Sequence, residues 1–119
     1  MHSAGVLADA LLVNQTQAGL HKVWGPKASA AWNFHTADFE ITSEWVVFAQ
    51  FSSVAALLGG AGQANYSAAN VCLDVIASYR STHGAAATSV QWGAWAEVGM
   101  GARGAANERA VSGRVRVTI

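Results

Sequence analysis

The segment EWVVFAQFSS, residues 44–53, restricts the fold more than any other part of the chain. It is mostly apolar and rich in β-branched and aromatic residues, which is typical of a strand buried on both faces of a parallel sheet. A second strand is predicted at TSVQWGAW, residues 88–95, and a helix is predicted between the two strands at residues 63–82. Because neighbouring parallel strands need a crossover connection, this order predicts a right-handed strand–helix–strand unit.

Two earlier segments extend the pattern. HSAGV, residues 2–6, is typical of the end of a buried strand that runs into a turn, and a helical pattern follows from Thr16 to His35. Pro26 interrupts that pattern, so we expect a kink or two consecutive helices. The predicted fold class is α/β with a doubly wound parallel sheet, which binds ligands at the carboxyl ends of its strands. In the first helical stretch, the residues near helical spacing are Leu20, Val23, Trp24, Ala31 and Trp32. In the helix at 63–82, the residues expected to supply apolar contacts are Val71, Leu73, Val75, Ile76 and Tyr79.

Composition argues against several classes of function. The 119 residues are 52% hydrophobic, and seven basic residues balance seven acidic ones. A neutral chain lacks the charge that attracts nucleic acids or anionic membranes, and its apolar runs are too short to span a bilayer. No secretion leader opens the sequence. The single cysteine, Cys72, is predicted to pack in the core, and no histidines and cysteines have the spacing of a metal site. These features predict a cytoplasmic protein without a metal, a nucleic-acid partner or a membrane.

The candidate site centres on Tyr66 and Asn70, which lie four residues apart and therefore share one helical face. The three residues between them are small, which leaves room for a flat ligand. An arbitrary YxxxN would more often reflect packing and local hydrogen bonding. Two further residues favour a site: Ser53 at the predicted end of the strand, and Lys27 in the otherwise uncharged segment WGPKASAAWN.

The residues FSSVAALLGGAGQANYSAANVCLD, preceded by HSAGVLADALL and followed by VQWGAWAEVGM, resemble the ketoreductase domain of modular polyketide synthases and type I fatty acid synthases. That domain belongs to the short-chain dehydrogenase/reductase superfamily. The resemblance extends from His2 to Met100. It implies a Rossmann-like sheet that is truncated at the N-terminus, since the family's glycine-rich fingerprint would precede HSAG. Residues 1–104 would then form the C-terminal, catalytic half of the domain, and residues 105–119 would be a divergent tail without an assignment.

The resemblance also implies an activity and its residues. It implies NADPH-dependent reduction of a β-ketoacyl thioester, carried on the phosphopantetheine of an acyl carrier protein, to the β-hydroxyacyl thioester. Most of the superfamily carries YxxxK, whereas these synthase reductases place Asn last and bring Lys from the preceding helix, as this chain does. The implied catalytic residues are Lys27, Ser53, Tyr66 and Asn70. The implied cofactor contacts are Ala4, Gly5, Ser52 and Tyr66, and the implied substrate-side residues are Asp9, Leu58, Gln63 and Trp92.

The implied chemistry follows from charge. Hydride transfer to a ketone carbon leaves an alkoxide, which Tyr66 would protonate. A free phenol has a pKa of about 10, and an ammonium such as that of Lys27 stabilises the phenolate form and lowers that pKa. Ser53 would donate a hydrogen bond to the carbonyl oxygen as charge develops. Asn70 would position Lys27 and help to relay the proton through water.

Two motif positions bear on the stereochemistry of the product. Members of the family that form the D-hydroxy product carry LDD after the HxAG turn, and members of opposite outcome carry Trp eight residues before the tyrosine. Here Leu7-Ala8-Asp9 keeps the last Asp, and Leu58 replaces the Trp, which favours the D product.

Two alternative functions remain. The first alternative is an inactive, truncated ketoreductase that braces other synthase domains. The second is another reductase of the superfamily that acts on a free small molecule. For an active ketoreductase, the other synthase domains or the missing N-terminal half would be partners.

Overall fold

Three parallel segments form the sheet in residues 1–40 and 48–93, the parts of the chain described here from a computed structural model. The strands are β1 (Phe48–Ser53) and β2 (Ala87–Trp92), which pair in parallel. His2 forms a parallel bridge to Gln50 of β1, so β1 lies between the His2 segment and β2. The prediction of a parallel α/β sheet is therefore confirmed.

Helices precede β1 and connect it to β2. They are α1 (Gln17–Trp24), α2 (Ala30–Glu40), α3 (Ala55–Leu58) and α4 (Ala64–Thr82), with a short 3-10 turn at Leu12–Asn14. α4 agrees with the predicted helix at 63–82 to within one residue at its start. Positions 44–47 of the first predicted strand and positions 94–95 of the second lie outside the described residues. The predicted tail at 105–119 also lies outside them.

A π-helical turn joins α1 to α2 at Gly25–Ser29, where Pro26 is the second residue. The N–H of Ala30 donates to the carbonyl of Gly25, five residues earlier instead of four. Pro26 has no N–H to donate, and the wider turn lets the helix continue past it. The prediction of two consecutive helices is confirmed, and a single π turn connects them without a break.

The hydrophobic core lies between β1 and the helices. Its members are Ala31 of α2, Phe48 of β1 and Leu73 and Ile76 of α4, with Ala87 of β2 packed against them. Alternate residues of β1 face this core, because successive side chains of a strand point to opposite faces. The core therefore fixes β1 against α4, the two elements that carry most of the candidate site.

The expected packing was wrong at three apolar positions of α4. Val71, Val75 and Tyr79 of α4 are 41%, 58% and 47% exposed. At 3.6 residues per turn, the first two lie about 160° around the helix from Leu73, on the face directed away from the sheet. Among the apolar residues of α1 and α2, Leu20 and Trp32 are also exposed, whereas Val23 and Ala31 are buried. Cys72, predicted to be a core residue, is only half-buried, and burial raises the pKa of its thiol.

Candidate functional site

Lys27 lies at the centre of the π turn and is 3% exposed. Its Nζ donates a hydrogen bond to the carbonyl of Phe51 in β1, at 3.1 Å, and lies 5.3 Å from the centroid of the Tyr66 ring. The structure thus brings together two residues that are 39 positions apart in the sequence (66 − 27). A buried ammonium with an aromatic phenol at its side is the central feature of this site.

Burial lowers the pKa of Lys27 from the ordinary value of 10.5 to about 8, an effect that the nearby carboxylate of Asp74 partly opposes. Asp74 itself accepts hydrogen bonds from Ser89 Oγ, at 2.6 Å, and Gln91 Nε2, at 2.8 Å. Its charge is thereby held close to the sheet. At neutral pH the Lys27 ammonium remains the predominant form.

This pKa predicts how stability depends on pH. Because the pKa is lower in the folded than in the unfolded chain, unfolding takes up a proton between about pH 8 and pH 10.5, and the contribution of Lys27 to the free energy of unfolding rises across this window. The free energy of unfolding of the native chain minus that of a Lys27→Met variant should therefore increase from the lower to the upper end of the window. Urea unfolding at both ends measures it. The exposed Lys22 supplies the control, since Lys22→Met should show no such trend, and an equally flat difference for Lys27→Met would contradict the prediction.

Tyr66 and Asn70 lie in the first two turns of α4, where Tyr66 is half-buried and Asn70 is 0% exposed. Asn70 Nδ2 donates to the backbone carbonyl of Tyr66 at 2.8 Å, and the backbone carbonyl of Asn70 accepts from Ser52 Oγ at 3.2 Å. Asn70 Oδ1 is buried and has no hydrogen-bond partner among the described residues. The contact from Asn70 to Lys27 that the resemblance implies is not among the hydrogen bonds of residues 1–40 and 48–93, and Lys27 is held by Phe51 instead. The role of Asn70 stays a prediction.

The two serines at the end of β1 face different ways. Ser52 is buried against α4, where its hydroxyl donates to Asn70. Ser53 is half-buried, and its Oγ accepts the N–H of Ala55 at 3.2 Å, at the start of α3. In the part of the chain that the structure describes, no hydrogen bond joins Ser53 to Tyr66. The bond from Ala55 fixes the Ser53 oxygen and leaves its own O–H available to donate.

The predicted substrate-side residues are only partly brought together. Gln63 Nε2 donates to Asp9 Oδ2 at 3.1 Å, which ties the loop after HSAG to the start of α4. Leu58 is 73% exposed at the end of α3, and Trp92 stacks on Phe51 with the ring centroids 5.6 Å apart. A backbone hydrogen bond from Ala10 N–H to the carbonyl of Gly62, at 2.9 Å, ties the same loop to the start of α4 a second time. Gly62 adopts a φ of 74°, a conformation that favours glycine.

Sequence reasoning missed Asn65, which is 4% exposed. Its Nδ2 donates to the carbonyl of Ala8 at 2.8 Å, and its Oδ1 accepts the N–H of Tyr66 at 2.7 Å. Asn65 thus links the Tyr66 backbone to the loop that contains Asp9. A small polar residue in the first turn of a helix is the signal that could have found it, because such side chains commonly satisfy the free N–H groups there.

The comparisons with known proteins identify the family of the chain. The family model described as "KR domain" matches residues 1–97. The chain belongs to this family. A mycocerosic acid synthase-like polyketide synthase of Mycolicibacterium smegmatis is 43% identical over 94% of the chain, and the spectinabilin polyketide synthase system protein NorB of Streptomyces orinoci is 46% identical over 97%. The match spans 5% of the length of each of these two relatives.

Solved ketoreductases also share the fold. A structure of A-type ketoreductases from a modular polyketide synthase matches 92% of this KR chain with a TM-score of 0.84 and 39% identity. The first ketoreductase of the tylosin polyketide synthase matches 90% with a TM-score of 0.81 and 40% identity. The match spans 23% of each of those chains. The resemblance to a synthase ketoreductase and the Rossmann-like class are therefore confirmed.

Within this KR chain, residues that could hold a cofactor lie beyond the His2 bridge. Ala4 is exposed and Gly5 is half-buried, and neither has a bulky side chain. They lie at the carboxyl end of the His2 segment, next to the end of β1, where parallel sheets bind ligands. Because both residues are small, they leave room for a flat ligand such as the nicotinamide half of a dinucleotide. The described residues contain no group of three or more side chains that could hold a metal ion, and no helix in those ranges is long and apolar enough to cross a membrane.

Proposed function

We propose that this chain carries out the chemical step of an NADPH-dependent β-ketoacyl reductase, acting on a thioester bound to an acyl carrier protein. The observation that carries the proposal is the buried Lys27 ammonium beside Tyr66 at the carboxyl end of β1. Membership of the KR family supports the class of reaction. The assignment of residues 1–104 to the catalytic half of a reductase domain, with other synthase domains as partners, belongs to the same proposal. So does a cytoplasmic location.

In the proposed mechanism, the bound nicotinamide cofactor supplies the hydride. Tyr66 then donates its phenolic proton to the substrate oxygen. Lys27, 5.3 Å from the ring centroid, stabilises the negative charge that Tyr66 retains after donating the proton. The electrostatic stabilisation by Lys27 is strong here because its side chain is almost completely buried, so water weakens the interaction little.

Ser53 and Asn70 would complete the site. The Ser53 oxygen is fixed by Ala55 N–H, so its own proton can be directed at the substrate oxygen as negative charge develops. Asn70 holds the Tyr66 backbone, and its buried Oδ1 has no hydrogen-bond partner among residues 1–40 and 48–93, which supports a part in proton relay. Ala4 and Gly5 would contact the cofactor directly. Ser52, whose hydroxyl is used by Asn70, would contact the cofactor through its backbone.

The stereochemical part of the proposal is the D-hydroxy product. It rests on Asp9, which the hydrogen bond from Gln63 holds beside the start of α4, and on Leu58 where the opposite class carries Trp. Gln63, Leu58 and Trp92 would form the substrate side with Asp9. Chiral chromatography of the hydroxyacyl product tests this part, and an L product would contradict it.

The test of the whole proposal is the consumption of NADPH by the full chain, with a carrier-bound β-ketoacyl thioester compared with a free cyclic ketone. A Lys27→Met variant should lower kcat by about 10²-fold, as expected for loss of a group that assists general acid catalysis. Lys22→Met removes an exposed lysine of α1 and should leave kcat unchanged. Because this chain matches only 23% of two solved ketoreductase chains, the assay is repeated with the chain joined to the rest of a KR domain. A folded chain without turnover in that joined form would favour the bracing fragment. Preference for the free ketone would favour a small-molecule reductase.

A further inference from the structure

We propose that His2 is a positioning residue that holds Lys27 beside Tyr66 through the backbone of the lysine. The positioning of Lys27 by His2 is argued from hydrogen-bond geometry alone. The effect of that positioning on catalysis rests on the proposed function, which this inference deepens.

The argument begins with a closed ring of hydrogen bonds. In the parallel bridge, the N–H of His2 donates to the carbonyl of Ala49 at 2.9 Å, and the N–H of Phe51 donates to the carbonyl of His2 at 3.0 Å. The carbonyl of the same Phe51 accepts from Lys27 Nζ at 3.1 Å. The ring closes where His2 Nε2 meets the backbone carbonyl of Lys27 at 3.3 Å. Both ends of Lys27, its carbonyl and its ammonium, are thus connected to the same pair of strand residues.

The π turn makes this connection important. Lys27 lies at the middle of a turn that departs from the regular α-helical hydrogen-bond pattern, next to Pro26, which has no N–H to donate. The local backbone pattern therefore determines the position of Lys27 less firmly than a regular helix would. Within the turn, the Lys27 carbonyl accepts the N–H of Ala30, which that N–H shares with the carbonyl of Gly25. The contact from His2 adds a second restraint on the same carbonyl, and this one comes from outside the helix.

Histidine suits this position for a chemical reason. A carbonyl only accepts hydrogen bonds, so Nε2 must carry the hydrogen in this contact. The ring is 7% exposed and packs against Phe34, with the ring centroids 5.5 Å apart. Burial lowers the pKa of His2, which favours a neutral donor next to the Lys27 ammonium. An Arg or Lys at this position would place a second positive charge against the first.

The test compares His2→Gln with His2→Asn. Gln can place an amide nitrogen close to the position of Nε2, whereas the shorter Asn cannot reach the Lys27 carbonyl. His2→Phe is the third variant, since it keeps a ring against Phe34 and removes the donor. If His2→Phe does not fold, the Gln and Asn variants still decide the question.

The first measurement needs no turnover. The chain has two lysines, Lys22 and Lys27, so labelling with [13Cε]lysine gives two resonances, and an NMR titration reports the pKa of each side chain. Among the described residues, the titratable groups that face Lys27 are His2, Tyr66 and Asp74. Tyr66 and Asp74 are the same in all variants, so only the change at His2 differs. In His2→Asn and His2→Phe, Lys27 should move towards water and its pKa should rise from about 8 towards 10.5. Lys22 should not change, and His2→Gln should keep the native value.

The second measurement is kinetic. His2→Asn and His2→Phe should lower kcat by about 10-fold to 10²-fold with KM unchanged, because displacing a catalytic group by an ångström has effects of this size, and His2→Gln should restore the rate. An unchanged Lys27 titration in folded His2→Asn, or loss of the native titration in folded His2→Gln, would overturn the positioning role. Native titration behaviour with no reduction, even when the chain is joined to the rest of a KR domain, would instead count against the proposed function.

Discussion

Replacing Tyr66 with Phe is expected to lower kcat for β-ketoacyl reduction by about 10²-fold to 10⁴-fold, the usual contribution of a general acid. The change removes only the phenolic oxygen. Two hydrogen bonds that hold Tyr66 in α4 involve its backbone, since its N–H donates to Asn65 Oδ1 and its carbonyl accepts from Asn70 Nδ2. The fold and the ring beside Lys27 should therefore survive. The measurement is NADPH oxidation at saturating thioester, with circular dichroism to verify the fold.

The matched control is Tyr79→Phe. Tyr79 lies on the same helix and is 47% exposed, and it packs its ring against that of His83 with the centroids 4.1 Å apart. It should keep the native rate, since it lies 13 residues after Tyr66, about 20 Å further along the helix axis. Native turnover in Tyr66→Phe would exclude Tyr66 as the proton donor and with it the proposed mechanism.

Replacing Leu73 with Ala is expected to lower the free energy of unfolding by about 2–5 kcal/mol. Leu73 is 0% exposed and contacts the core formed by Ala31, Phe48 and Ile76. Truncation would remove buried apolar surface and leave a cavity between α4 and β1, which the rigid strand cannot fill. Urea unfolding of the full chain measures the change.

Val75→Ala on the same helix is the control, because Val75 is 58% exposed. Its effect should stay within about 0.5 kcal/mol, as is usual for surface substitutions. Equal effects of the two substitutions would show that the core does not lie on the Leu73 face of α4. A loss confined to Leu73→Ala would tie the stability of the chain to the contact that also aligns Tyr66 with β1.

The sequence pattern was sufficient for the order and direction of the elements. A mostly apolar strand, a long helix and a second strand require a parallel crossover, and α4 and the described parts of both strands agree with the prediction. The spacing of Tyr66 and Asn70 placed both on one face, because residues four apart are always neighbours on a helix. The motifs also led to the ketoreductase family, since they occur in one chain in the family's order.

Only the tertiary structure decided which apolar residues of α4 are buried. Val71, Leu73 and Val75 are all good core residues by composition, but a helix packed on a sheet buries one narrow face, and Leu73 occupies it. The sequence pattern also could not show the π turn, which depends on the packing around Pro26. Nor could it show that Lys27 bonds to Phe51 and His2, because contacts between residues 24 and 25 positions apart arise only when separate elements pack. Local periodicity is a property of neighbouring residues, whereas a site is formed by distant ones.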